Sequence, residues 1–315
     1  MTSSRPVIAV VGATDAQGGG LARAILADPA RSFTVRAITR PVDGVAARTL
    51  SALGAQVVAV DLDDAASLAR ALQGVYGVFG VTNDRDHCSP ERGLEQVNHI
   101  AQAARRAAVR HVIWSTKENT READALFRNL PTTLLRTSFF WDELIPLGMG
   151  LRRAADGGLD FVLPMGTSRL PGIAAADIGP CALGIFQRCG QFIGQTVGIA
   201  GENLDGAQIA VALSAAIGEP VRYVPNSFAS YMRLDLPGAG DLAHMLRYKH
   251  DWNDTYCTDC AVDLTRELHP GLLNFEQWLA ENAHRGSRRV GDRQVTSALE
   301  SRYTASWNHK SARRS

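Results

Sequence analysis

The stretch Ile8-Ala9-Val10-Val11-Gly12-Ala13-Thr14-Asp15-Ala16-Gln17-Gly18-Gly19-Gly20-Leu21 restricts the fold more than any other part of the chain. A short apolar run breaks at Gly12 and restarts as the helical pattern Leu21-Ala22-Arg23-Ala24-Ile25-Leu26, which reads as a strand, a tight turn and a helix N-terminus. The unpaired backbone N–H groups of such a helix start attract a phosphate. Where a turn of this kind cradles a pyrophosphate, glycines stand at the turn, at the close approach of backbone to phosphate, and at the contact of helix with strand. Here Gly12 and Gly18 hold the outer places and Asp15 holds the middle one. A carboxylate about 4 Å from a phosphate charge would cost on the order of 4 kcal/mol at an effective dielectric near 20. The turn therefore announces the fold and puts its ligand in question. Asp15 also reads as a helix cap, its carboxylate accepting the N–H groups that a phosphate would otherwise take.

Further apolar segments follow at Phe33 to Arg40, Val57 to Val60, Val75 to Val81, His111 to Ser115 and Thr132 to Arg136. Strands alternating with alanine-rich helical stretches predict an α/β architecture, a Rossmann doubly wound parallel sheet of order 3-2-1-4-5-6 over residues 1–138. Ligands of such sheets lie at the carboxyl ends of the strands. That rule singles out Gly12 to Gly18, Arg40, Asp61 to Asp63, Thr82, Asn83, and Ser115 to Lys117. Arg40 ends the second strand, where an acidic residue would favour NAD and a cation favours the 2′-phosphate of NADP.

From Phe139 the regular alternation is lost, and residues 139–284 read as a smaller α+β C-terminal lobe with some elements returning to the sheet. Short strands are expected there at Val197 to Ala200 and Val221 to Val224. The last helix is expected near Asn274 to Asn282. A cleft between two lobes is the default place for a small organic substrate.

Residues 285–315 carry a net charge of +6 within a chain of net +1, and they hold few core residues. They read as a basic disordered tail. Because the basic residues are scattered, direct nucleic-acid binding is not expected. Five cysteines, odd in number and dispersed, do not form an extracellular disulfide framework, so a cytoplasmic location is expected, or a nuclear one in a eukaryote. The start of the chain runs straight into the first strand and no run of about eighteen apolar residues occurs, so neither secretion nor a membrane span is expected. Cys257 and Cys260 are spaced like half of a zinc site, but a structural site needs four ligands. No second pair is present and His250 and His269 are loosely placed, so no metal is expected. His87 and Cys88 lie in a loop near the expected ligand edge and read as ordinary loop residues.

The order of these pieces resembles the NmrA-like family, atypical relatives of the short-chain dehydrogenases. The matching segments are Val11 to Gly19, Val35 to Arg40, Gly54 to Val58 with Asp61, Asp63 and Asp64, and Val81 to Asn83. Further on come Arg136 with its following aromatics, Ile173 to Gly179, Gly194 to Gly198, Leu236 to Leu242 and Phe275 to Leu279. The similarity spans residues 6–284, and its last segments look most like the redox-sensor branch. Membership implies NADP(H) binding, with members divided between redox-responsive regulators and reductases. Carried over residue by residue, it implies Thr14, Gln17 and Gly18 at the pyrophosphate, Arg40 at the 2′-phosphate, Asp61 on the adenine side, and Thr82 and Asn83 at the ribose next to nicotinamide.

This chain departs from the family pattern in several places. Asp15 replaces a glycine, so NADP(H) binding is weakened or lost if its carboxylate faces the pyrophosphate. The stretch Lys117 to Leu130 is shorter than the family's loop and helix. A helix still fits it, capped by Asn119, with Glu122 at its third position and Ala123, Leu126 and Phe127 on its apolar face. Phe140-Trp141-Asp142-Glu143 stands where the family shows an aromatic followed three places later by asparagine, and Asn98 stands for a lysine.

Hydride transfer by short-chain dehydrogenases uses a tyrosine with a lysine four residues later, and no Tyr-x-x-x-Lys occurs in the chain. Ser115 and Lys117 are the weak catalytic candidates. Phe139, Phe140 and Trp141 could stack on a nicotinamide or pack a core. The expected function is an NADP(H)-binding redox or nucleotide-state sensor acting on a regulatory protein partner, with homodimerisation compatible. The alternatives are an NADPH-dependent oxidoreductase of a small organic substrate and a cofactor-free interaction scaffold.

Overall fold

The computed structural model describes residues 5–81, 90–116, 125–144, 151–234 and 239–286. Five apolar residues, β1 (Val7–Val11), form an interior strand of a seven-stranded sheet. Next to β1 run β2 (Thr34–Thr39) and then β3 (Gln56–Ala59) on one side, and on the other β4 (Gly77–Val81), β5 (His111–Thr116), β6 (Thr132–Thr137) and β11 (Thr196–Ile199). All neighbours are parallel, with Val7 opposite Thr34 and Val112 opposite Thr132. Central strands of such a sheet are covered on both faces, which is why β1 and β4 read as unbroken apolar runs.

The expected order 3-2-1-4-5-6 is present and is extended by β11. This strand falls in the part of the sequence that reads as a smaller lobe with some elements returning to the sheet. The chain reaches it through helix α5 (Ala175–Gln187), and Gly198 then forms a bridge with Cys260 along its outer edge. A Cβ on Gly198 would lie 2.1 Å from the Asp259 carbonyl oxygen, so only glycine lets that segment close the edge. The two compact units accordingly interleave in sequence. The first comprises Met1–Ser138, Ala175–Ala200 and Asp259–Leu272, the second Phe139–Ala174, Gly201–Thr258 and Leu273–Ser315.

Within the first unit, helix α1 (Ala16–Ala27) crosses α5 at Gly20 and Gly179. A Cβ on Gly179 would meet the Leu21 amide nitrogen at 2.0 Å, so small residues set this close crossing. Helix α3 (Ala65–Ala71) is capped by Asp64, whose carboxylate accepts from the N–H groups of Ala66 and Ser67. Helix α4 (Pro90–Arg106) docks on the β3–α3 turn, Gln96 donating to Asp63 at 2.7 Å and His99 bonding the Leu62 carbonyl at 2.9 Å. Of the shortened crossover after β5, residues 117–124 lie outside the described residues. Phe127 beyond them is buried against Trp114 with ring centroids 4.9 Å apart, while the expected helix start at Asn119, with Glu122 and Ala123, lies outside the described residues.

In the second unit, β7 (Phe139–Phe140), β10 (Leu170–Ile173) and β12 (Glu202–Leu204) form one small sheet. A second consists of β8 (Leu151–Arg153), β9 (Leu159–Leu163) and β13 (Val221–Pro225). Helix α6 (Gly206–Ile217) starts with a reciprocal capping box between Asp205 and Gln208 and ends at Gly218 in the left-handed conformation. The core gathers Phe139, Trp141, Phe161, Tyr231, Phe275 and Trp278. Lys249, nearly without exposed surface, donates to the Tyr256 hydroxyl at 2.7 Å.

Candidate functional site

The β1–α1 turn is built as its glycines suggested. Gly12 takes φ +67°, a left-handed conformation that L side chains rarely adopt. The Asp15 N–H then donates to the Gly12 carbonyl at 2.9 Å and the Gly19 N–H to the Asp15 carbonyl at 2.9 Å, which closes the turn and opens α1. A Cβ on Gly18 would come 2.4 Å from the Gly12 oxygen, so the helix can lie against the strand end only with glycine at that position. The first turn of α1 contains no acidic residue after Asp15. Its N–H groups and the positive end of its dipole suit an anion.

Asp15 occupies the N-cap with extended backbone, φ −91° and ψ 178°, yet its side chain makes no cap hydrogen bond. The capping role open to it in the sequence is therefore not taken. Its Oδ2 lies 3.0 Å from where a Cβ on Gly12 would stand. The carboxylate thus reaches into the space that the missing side chain of Gly12 leaves open. Apart from this group, the residues of the turn fit a dinucleotide phosphate: Gly12 and Gly18 keep the approach to the backbone clear, and the first turn of α1 carries no acidic side chain.

The other expected residues divide by position. Thr14 bonds through its hydroxyl to Thr39 at 3.2 Å, which ties the turn to the carboxyl end of β2. Arg40 follows directly on that end and is exposed. Asp61, just past β3, accepts from the Asp63 N–H at 3.1 Å. Ser115, at 5% exposure near the end of β5, donates to the Gln17 side-chain oxygen at 2.6 Å. The turn, the end of β2 and the end of β5 are thereby joined by side chains distant in sequence. Thr82, Asn83, Lys117, His87 and Cys88 lie outside the described residues.

Thr39 was not singled out from sequence, although the strand-end rule that picked Arg40 covers its neighbour. Ser138 was also passed over. It follows β6, is buried, and its hydroxyl has no hydrogen-bond partner among the described residues. Arg136 on β6 pairs with Asp259 at 2.8 Å. Phe139 and Trp141 are spent in the core of the second unit, where the Trp141 ring centroid is 5.3 Å from that of Phe275. A Cβ on Gly172 would lie 2.1 Å from the Trp141 ring nitrogen, which shows how tightly that indole is enclosed. Asn98 accepts from Gln102 at 3.3 Å.

Two further groups are accounted for by structure. Cys257 and Cys260 are not joined in a disulfide, and among the described residues no group of three potential ligands could hold a metal. Burial pushes the Cys257 thiol above its ordinary value. His250 bonds Asp251 and His269 bonds Asp177, each through a ring nitrogen. A cavity of about 350 Å³ beside β3, bordered by Arg36, Gln56, Ser67 and Arg70, shares no residue with the turn. Its Arg36 guanidinium already serves Gln56 and the carbonyls of Ala71 and Gln73. No described helix is long and apolar enough to cross a membrane.

Comparison with known proteins places this geometry in context. The model of the NmrA-like family matches residues 4–132 and 127–279. The NmrA-like family domain-containing oxidoreductase lnbB of Aspergillus flavus is 27% identical over 332 aligned positions, covering 90% of this chain and 99% of that protein. An NAD(P)H azoreductase of Xenophilus azovorans is 30% identical over 235 positions, covering 69% of this chain and 76% of that one. Among solved structures, NmrA, a negative transcriptional regulator crystallised with NADP, superposes with a TM-score of 0.72 at 20% identity, covering 92% of this chain and 99% of that one. At that identity the likeness concerns the fold.

Proposed function

Since this chain belongs to the NmrA-like family, we propose that it binds NADP(H) at the β1–α1 turn and that the redox state of the bound nucleotide is its signal to a protein partner. The observation that carries this reading is the commitment of Ser115. Its hydroxyl proton is given to Gln17, so this buried side chain near the end of β5 is engaged within the protein and is not poised to protonate a substrate. The chain also has no Tyr-x-x-x-Lys pair to take that role.

In this reading Gly12 and Gly18 admit the pyrophosphate to the backbone, with Thr14 and Gln17 beside it. Arg40 meets the 2′-phosphate, Asp61 bounds the adenine side, and Thr82 and Asn83 hold the ribose next to nicotinamide. When bound, the nicotinamide supplies a hydride. Asp15 opposes the pyrophosphate charge and sets binding weaker than a glycine would. Cytoplasmic location and homodimerisation accompany the proposal.

A second reading has its own support in the similarity to the azoreductase. Electron-poor acceptors such as azo compounds and quinones can take a hydride and then a proton from water, so an NADPH-dependent reductase of this kind needs no protein acid. Calorimetric titration with NADPH and NADP⁺, followed by NADPH oxidation with an azo dye and a quinone, separates the readings. Tight binding with a redox-dependent change in sedimentation and no turnover supports the sensor. Turnover with either acceptor supports the reductase and overturns the sensor. No binding of either nucleotide overturns both and leaves a cofactor-free scaffold.

A further inference from the structure

Gln17 and Ser115 are 98 residues apart in sequence and meet at 2.6 Å. Ser115 is almost wholly buried, and its hydroxyl donates to Oε1 of Gln17. A primary amide ends in one acceptor oxygen and one NH₂ group, and holding the oxygen decides which end is presented outward. Gln17 Nε2 has no protein partner among the described residues, and the side chain is half-buried in the first turn of α1. Freed from Ser115, the amide could turn over and present its oxygen.

Resting on the NADP(H) site proposed above, we infer that Ser115 is a positioning residue that acts through Gln17. It orients the Gln17 amide so that the NH₂ group is offered to the dinucleotide pyrophosphate, as a neutral donor that offsets the Asp15 carboxylate. Ser115 thus contributes to affinity for the pyrophosphate and takes no part in proton transfer.

The test is a double-mutant cycle read by calorimetry with NADPH, on wild type, Ser115→Ala, Gln17→Ala and the double variant, with Gln17→Glu beside them. Each single alanine substitution should weaken NADPH binding about 3- to 10-fold, the range of one hydrogen bond. The double variant should bind as Gln17→Ala does, because Ser115 has nothing left to orient. Gln17→Glu should bind more weakly than Gln17→Ala, with a difference that shrinks as salt is raised. Affinity for 2′-AMP, which lacks a pyrophosphate, should not move in any variant. Additive losses in the cycle, wild-type affinity in Ser115→Ala, or a parallel loss of 2′-AMP binding would each overturn the role. If the wild type binds NADPH and the cycle is additive, only the Ser115 assignment falls. If the wild type binds no NADPH, the assignment falls together with the function on which it rests.

Discussion

Replacing Asp15 tests most directly how this turn meets a dinucleotide. Its Oδ2 lies 3.0 Å from the position of a Cβ on Gly12, and its Cγ 3.8 Å from it, so a phosphate in contact with the Gly12 backbone would be close to the carboxylate. At about 5 Å, two unit charges repel by about 3 kcal/mol at an effective dielectric of 20 and by less than about 1 kcal/mol in water. Because Asp15 is exposed, the effect belongs between these, at about 1–2 kcal/mol, or roughly 5- to 30-fold in Kd. Asp15→Asn removes the charge and keeps the shape, while Asp15→Gly removes both. The side chain makes no cap hydrogen bond, so neither substitution should cost the helix more than a few tenths of a kcal/mol. NADPH titrations at low and at high salt supply the assay. Asp15→Asn should bind more tightly than wild type at low salt, and the gap should narrow as salt screens the repulsion. Equal affinities of wild type and Asp15→Asn at low salt, with only Asp15→Gly tighter, would show that bulk opposes the ligand and would refute the electrostatic argument.

Other substitutions probe the frame around the turn. Gly18→Ala forces a Cβ to within 2.4 Å of the Gly12 oxygen and should destabilise the protein by about 1–3 kcal/mol, while Gly93→Ala, with open space at its Cβ in helix α4, should stabilise it by about 0.5–1 kcal/mol; urea midpoints of opposite sign check both. His111 is fully buried, and burial pushes its pKa from 6.5 down to about 4. The unfolded chain therefore binds more protons between those values, so this stability is complete above pH 6.5 and falls by about 3 kcal/mol on acidification through the window. His111→Gln should lose correspondingly less between pH 7.5 and 4.5, and parallel losses in denaturation midpoint would count against the buried neutral imidazole. Asp205→Ala should cost about 1 kcal/mol by opening the capping box of α6, seen as a drop of a few degrees in Tm; no change would mean that the box contributes nothing in the folded protein.

What the amino-acid order determined by itself is the part governed by neighbours along the chain. The change from an apolar run to helical periodicity at Gly12 specifies strand, turn and helix, and the glycine spacing specifies where backbone must approach backbone. Repetition of that pattern is enough to order the first six strands and to put Arg40 and Asp61 past strand ends. Tertiary structure decided the matters that depend on register between distant segments. It recruited Thr196–Ile199 as a seventh strand, since four residues, Thr-Val-Gly-Ile, carry no sign of which sheet they join. It sent Trp141 into a core with Phe275 and Trp278, where a local aromatic cluster had read equally well as a ligand platform. It also paired Ser115 with Gln17, because two polar side chains on separate strand and helix ends find each other only when parallel pairing of β1, β4 and β5 brings those ends together. The position of the Asp15 carboxylate belongs to the same class: sequence places the charge at the turn, and a side-chain torsion decides whether it fills the cradle.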